Sequence, residues 1–191
     1  MKPIVRRILF IVLCCLLSAY VLLLIIAIFF SDRLILPGRR SYTQIPNLLK
    51  IEVAPDAYLA ARYLTSSQAT YTILYCHGNG ENLGDLADLL MQYQRRGYNI
   101  LAFDYRGYGT SIGVCSPHNA LADTEAAWTY LVNTLHVPPE RIIILGRSFG
   151  GAMAAHLAAK QSAAGVILES TFTSAFRAVI PVPLMPFDKL K

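Results

Sequence analysis

Residues 8–30 are 23 consecutive positions without a charged side chain, and seventeen of them are Leu, Ile, Val or Phe. As a helix at ~1.5 Å per residue this run spans ~34 Å, against a bilayer hydrocarbon core of ~30 Å. Seventeen such side chains at the helix centre sum to about −5 to −10 kcal/mol of insertion free energy, an upper figure. A cleaved signal peptide has an apolar region of about 7–15 residues followed by a small-x-small site. This run is longer and ends Ile28-Phe29-Phe30-Ser31. An uncleaved anchor in residues 1–30 is therefore the preferred reading, ahead of a cleaved signal and of a buried core helix. It makes the lipid bilayer a partner of residues 8–30.

Charge separates this segment from the rest. The chain has 191 residues, only 15% of them charged, and a net charge of +5. Lys2, Arg6, Arg7, Arg33, Arg39 and Arg40, set against Asp32, account for the whole excess. Residues 41–191 balance eleven basic against eleven acidic side chains. A nucleic-acid-binding domain carries its basic excess on a folded face, so nucleic acid is excluded as an expected partner. Basic residues flank the apolar run on both sides, and the positive-inside rule nearly balances. The short tail favours a cytoplasmic N-terminus, which places the remainder on the extracytoplasmic side of a single-pass membrane protein.

Residues 31–46 contain Pro37, Gly38 and Pro46 without an apolar period and read as a juxtamembrane linker. In residues 47–191 two patterns alternate. Segments 48–53, 58–64, 71–76, 99–103, 141–145 and 165–168 are strand-like, the first two at a sheet edge. Leu83, Leu86, Leu90 and Tyr93 mark a helix that stops near Gly97. Ser116-Pro117 is an N-cap followed by proline at the first helical position, and that helix ends before Pro138-Pro139. An alanine-rich helix covers residues 150–161. Such alternation with continuous apolar strands predicts an α/β domain, a mostly parallel sheet with helices on both faces. Ligands then bind at the carboxyl ends of the strands. Cys14 and Cys15 lie in the anchor, and Cys76 and Cys115 suggest neither a disulfide framework nor zinc.

Three strand ends stand out: His77-Gly78-Asn79-Gly80, Asp104-Tyr105-Arg106-Gly107-Tyr108-Gly109 and Gly146-Arg147-Ser148-Phe149-Gly150-Gly151. The third places a serine between glycines two before and two after, on the junction of a buried strand and a helix. That fits a nucleophile elbow, in which Gly146 and Gly150 leave room where side chains would clash. Ser148 is held at a helix N-terminus, where backbone N–H groups favour developing negative charge. A phosphate-binding loop is a weaker reading, since no Gly-Lys-Ser/Thr follows.

Taken in this order, the three motifs resemble the α/β-hydrolase superfamily, in particular its membrane-anchored, serine-aminopeptidase-like serine hydrolases. Glu169-Ser170-Thr171-Phe172 after the last strand fits the same branch. The resemblance implies Ser148 as nucleophile and an oxyanion hole from the backbone N–H groups of Asn79 and Phe149. It implies supporting roles for Gly78, Gly146, Gly150, His77 and Asp104, and no metal or organic cofactor.

The family order places an Asp and a His after the serine, behind later strands. Here only Glu169 and Asp188 follow as acids, and His156 as histidine. His156 lies eight residues along the helix after Ser148, ~12 Å of rise, whereas a general base must reach within ~3 Å. His118 and His136 have no motif around them. The acid and base of a triad are therefore not found. The sequence reads as an α/β-hydrolase fold incomplete at the C-terminus, a fragment or a natural truncation, with an exposed sheet edge. The expected function is hydrolysis of carboxylic esters, acyl thioesters or peptides through an acyl-Ser148 intermediate, active once completed by the missing Asp and His. The alternative is a non-catalytic, membrane-tethered pseudoenzyme or interaction module.

Overall fold

The structure is a computed structural model that describes residues 3–36, 38–39 and 45–173. It divides into two units, Met1–Ile35 and Leu36–Lys191.

The first unit is one helix, α1 (Pro3–Ile35). Within it Pro3–Phe29 has a mean hydropathy of 3.1, long and apolar enough to cross a membrane by length and composition. A signal sequence near an N-terminus meets the same criteria. Leu9, Phe10, Leu13, Leu16, Leu17 and Phe29 are all exposed to more than half of their full extent. The helix continues beyond the apolar run to Ile35.

The second unit is built on β1 (Leu49–Ala54), β2 (Ala57–Leu64), β3 (Thr72–Cys76), β4 (Asn99–Phe103), β5 (Ile142–Arg147) and β6 (Gly165–Glu169). Three helices accompany them: α2 (Ala87–Arg95), α3 (Pro117–Thr129) and α4 (Phe149–Ala158). The sheet order is β1-β2-β4-β3-β5-β6. The β1–β2 and β2–β4 pairs are antiparallel. From β4 through β3 and β5 to β6 all pairs are parallel. The first two strands thus form a hairpin, and β2 is not an edge strand, because it is inserted between β1 and β4.

Strand alternation assigns the helices to faces. Ile73 and Tyr75 of β3 join Leu145, Ile100 and Ala102 in a cluster with Leu86 and Leu90 beneath α2. The alternate residues, Leu74, Cys76 and Ile144, are fully buried on the other side, where α3 and α4 pack against each other and against the sheet. Every residue of β3 is buried, as expected for a central strand covered on both faces. β6 differs, with Val166, Ile167 and Leu168 each 45–48% exposed.

Helix starts follow local chemistry. Ser116 caps α3, its hydroxyl accepting the Asn119 N–H at 3.1 Å, with Pro117 next. After Thr129 the helix widens into a π turn over Tyr130–Thr134, closed by Leu135 N–H donating to Tyr130 O at 3.0 Å. The second expected helix begins four residues later than its apolar spacing suggests. Asn82 accepts the Gly84 N–H at 2.9 Å through its side chain and turns the chain first, so Leu83 and Leu86 are buried from a turn.

Candidate active site

β3 and β5 are parallel neighbours in register, Cys76 opposite Gly146. Their carboxyl ends therefore present the loop beginning at His77 and the turn at Ser148 side by side.

The loop after β5 is a strained turn. Ser148 has φ 51° and ψ −115°, a conformation that costs a non-glycine residue about 1–3 kcal/mol. Its surroundings hold it there. Ser148 N–H donates to Glu169 O at 2.8 Å, and Ser148 O accepts from Gly151 N–H at 3.0 Å and from Thr171 Oγ1 at 2.9 Å. The flanking glycines are required by space. A methyl on Gly150 would overlap the carbonyl groups of Cys76 and His77, the latter at 2.6 Å, and one on Gly146 would come within 2.6 Å of Ala154 Cβ. Ser148 is half-buried and Phe149, the first residue of α4, is buried. The first N–H groups of a helix have no intrahelical acceptor and carry its positive dipole end.

The loop after β3 is fixed by its own polar groups. His77 is 1% exposed, and its Nδ1 lies 2.8 Å from Gly78 O. A carbonyl only accepts, so Nδ1 carries the proton. Burial pushes the ring down to about 4, with partial opposition from that bond and from Glu81. The ring is neutral near pH 7 and its Nε2 is an acceptor. Nε2 lies 3.5 Å from Asp104 Oδ1 and has no hydrogen bond among the described residues. The pair is therefore a contact between buried polar groups rather than an ion pair. Burial lifts Asp104 up to about 7, opposed by Leu83 N–H, which donates to Oδ1 at 2.9 Å. Because the Gly78–Asn79 peptide is planar and trans, anchoring Gly78 O through His77 also fixes the direction of the Asn79 N–H.

The loop after β4 braces both. Tyr108 Oη donates to Asn79 Oδ1 at 2.5 Å and Tyr105 Oη to His77 O at 3.2 Å. The Tyr105 ring meets His77 at 4.6 Å and Phe149 at 5.5 Å between centroids. Arg106 is tied to the buried Asp123, Nε to Oδ1 at 2.6 Å and main-chain N–H to Oδ2 at 2.9 Å. Burial raises Asp123 to about 6 despite this arginine. Chain just ahead of β1 joins in. Arg39 O accepts the Gly109 N–H at 2.8 Å, and its guanidinium donates to Gly80 O and pairs with Asp85 at 3.1 Å.

The remaining candidates are elsewhere. His156 on α4 pairs with Glu125 at 2.8 Å, alongside Lys160 at 2.5 Å. His118 and His136 are exposed. Asp188 lies outside the described residues. Glu169 presents its carboxylate to Arg147 at 3.6 Å and its carbonyl to Ser148. No hydrogen bond joins a described histidine to the Ser148 hydroxyl. Among the described residues there is no group of three or more His, Cys, Asp or Glu side chains able to hold a metal ion. Sequence reasoning passed over Glu81, Tyr108 and Arg147. The available signals were the position of Arg147 beside Ser148 and of Glu81 three residues beyond Gly78.

A mostly parallel sheet with a serine on a strained strand–helix turn at its carboxyl edge is the α/β-hydrolase fold. Residues 67–187 match the family described as serine aminopeptidase, S33, and the chain belongs to that family. Human alpha/beta hydrolase domain-containing protein 17B is 40% identical over 117 residues, 61% of this chain and 41% of that protein. The chain thus spans less than half the length of this relative. Among solved structures, an alpha-beta hydrolase from Vibrio vulnificus has a TM-score of 0.61 at 28% identity, covering 69% of this chain and 47% of its own. A Pyrococcus furiosus esterase shares the fold with a TM-score of 0.60 at 20% identity, covering 71% and 58%.

Proposed function

We propose that this chain carries the nucleophile of a membrane-anchored serine hydrolase. Ser148 attacks the acyl carbon of a carboxylic ester, acyl thioester or peptide, the leaving group departs protonated, and water hydrolyses the acyl-Ser148 intermediate. The observation that carries the reading is the φ of 51° at Ser148, held by three hydrogen bonds between β5 and α4. The ψ of −115° sets Ser148 apart from an ordinary left-handed turn residue, and strain of that kind on a ligand-binding edge points to function. The N–H groups of Asn79 and Phe149 receive the oxyanion, and Gly78, Gly146, Gly150, His77 and Asp104 support them. Serine needs a base to act near neutral pH. In this reading the base and its acid partner come from residues outside those described. α1 anchors the protein, and the hydrolase unit faces the extracytoplasmic side.

A second reading, a tethered module without catalysis, is favoured by the engagement of His77 with Gly78 and of His156 with Glu125. A fluorophosphonate probe separates the two, since labelling requires an activated serine. Applied to membranes expressing the whole gene, it is expected to label Ser148 and to lose the signal in Ser148→Ala. Equal labelling of both proteins, or none of either, favours the tethered module. Carbonate washing tests the anchor, because release into the supernatant would remove that part of the proposal. Protease protection of the hydrolase unit in sealed vesicles tests the side it faces.

A further inference from the structure

Glu81 and Arg147 lie 66 positions apart in the chain, yet they join the loop after β3 to the turn that carries Ser148. The two carboxylate oxygens of Glu81 act separately. Oε2 accepts the Gly78 N–H at 2.8 Å, and Oε1 accepts from Arg147 Nη1 at 2.9 Å. Arg147 then reaches Glu169 Oε1 at 3.6 Å through Nε, and Glu169 O holds the Ser148 N–H at 2.8 Å. The backbones also touch. A methyl on Gly78 would lie 3.0 Å from Glu81 Oε2 and 3.5 Å from Arg147 O.

Magnitudes decide what this arrangement is for. The Arg147 side chain is 43% exposed and that of Glu81 25%, and exposed pairs contribute only about 0–1 kcal/mol to stability. The fold does not depend on such a contact. Position does, because an oxyanion hole works only when its donors are held within ~0.5 Å of the productive geometry. A misplacement of ~1 Å costs on the order of 100-fold in rate. One donor stands on each side of this contact, Asn79 on the loop and Phe149 after the serine.

We propose that Glu81 and Arg147 are positioning residues that clamp the loop after β3 to the Ser148 turn and hold the Asn79 and Phe149 N–H groups in register. The proposal rests on Ser148 being the nucleophile, and its test has one arm independent of activity. In the full-length, membrane-embedded protein, amide hydrogen exchange over residues 77–82 is measured by mass spectrometry. Glu81→Ala and Arg147→Ala are each expected to speed exchange there about two- to fivefold, the size a partly exposed pair allows, with β3 and β5 unchanged. Glu81→Gln keeps an acceptor for Gly78 N–H and is expected to show a smaller effect. Exchange at the wild-type rate in both alanine variants overturns the clamp, whatever the activity.

The second arm is the rate of fluorophosphonate labelling at Ser148 and the kinetics on a neutral nitrophenyl ester. Each alanine variant is expected to label about 10- to 100-fold more slowly, with kcat lowered and KM little changed. The double variant is expected to be no slower than the worse single one. A loosened loop with wild-type labelling overturns the positioning role. Failure of the wild type itself to label rejects the hydrolase reading instead, and the exchange result then decides whether the clamp exists.

Discussion

Two histidine–carboxylate pairs in the hydrolase unit have similar chemistry and opposite electrostatics. His77 and Asp104 face each other at 3.5 Å with side chains 1% and 2% exposed. His156 and Glu125 meet at 2.8 Å with side chains 29% and 41% exposed. In the outer pair the carboxylate is held below its usual range by Lys160 first and His156 second. In the inner pair burial lifts the acid and lowers the base, and neither is stabilised in its charged form. Desolvation exceeds attraction when both groups are enclosed, and attraction prevails when water is present to solvate them. In the inner pair His77, uncharged, holds the Gly78–Asn79 peptide and Asp104 holds Leu83 N–H, whereas the outer pair ties α3 to α4.

The strongest perturbation of the inner pair goes through its frame. Gly150→Ala drives a methyl into the Cys76 and His77 carbonyls. Backbone cannot yield as a flexible side chain does, so the expected loss is about 3 kcal/mol or more. It is read as a collapse of the thermal transition in detergent, and a melt unchanged from wild type would mean that the two loops are not in contact.

The pH dependence sharpens the comparison next. Asp104 binds its proton more tightly folded than unfolded, so its contribution to stability is lost as pH rises from about 4 to about 7. His77 binds its proton less tightly folded, so its contribution is gained as pH rises from about 4 to 6.5. In the wild type the two slopes largely cancel between those limits. Asp104→Asn keeps an acceptor for Leu83 and unmasks the histidine slope, so stability is expected to rise with pH. His77→Asn keeps a donor for Gly78 O and unmasks the opposite slope. Each is expected to amount to roughly 2 kcal/mol across the window, measured by melts at stepped pH. Parallel profiles in the two variants would contradict the assignment of burial as the main cause.

The smallest effect is expected at the outer pair. Glu125→Ala is expected to cost less than about 1 kcal/mol, and less still in high salt. A larger or salt-independent loss in the same melts would show that the outer pair is not solvated as its exposure indicates.

What the sequence disclosed was local chemistry. The α3 cap at Ser116-Pro117, the apolar runs of β3 and β5 and the two glycines around Ser148 each depend on neighbours a few residues away. Strand order did not show itself in the same way. Nothing in residues 58–64 says that β2 pairs with β4, because the pairing is settled by the hairpin and the sheet. The start of α2 was misplaced because Leu83 and Leu86 keep helical spacing while Asn82 uses its side chain to turn the chain. Nothing in the sequence couples Glu81 to Arg147, since only the fold brings together positions 66 apart.

The short stretch that includes Leu36 and Arg39 has a mechanical consequence. Leu36 is 2% exposed, Arg39 holds Gly80, Asp85 and Gly109, and Gly38 is packed against Gly107 O. Tension on the chain ahead of Leu36 is thus carried first by the loops after β3 and β4, before it can reach the hydrogen-bond ladder of β1. Those loops form a seam loaded in series with the chain ahead of Leu36, while the parallel strands beyond them are shielded from the pull.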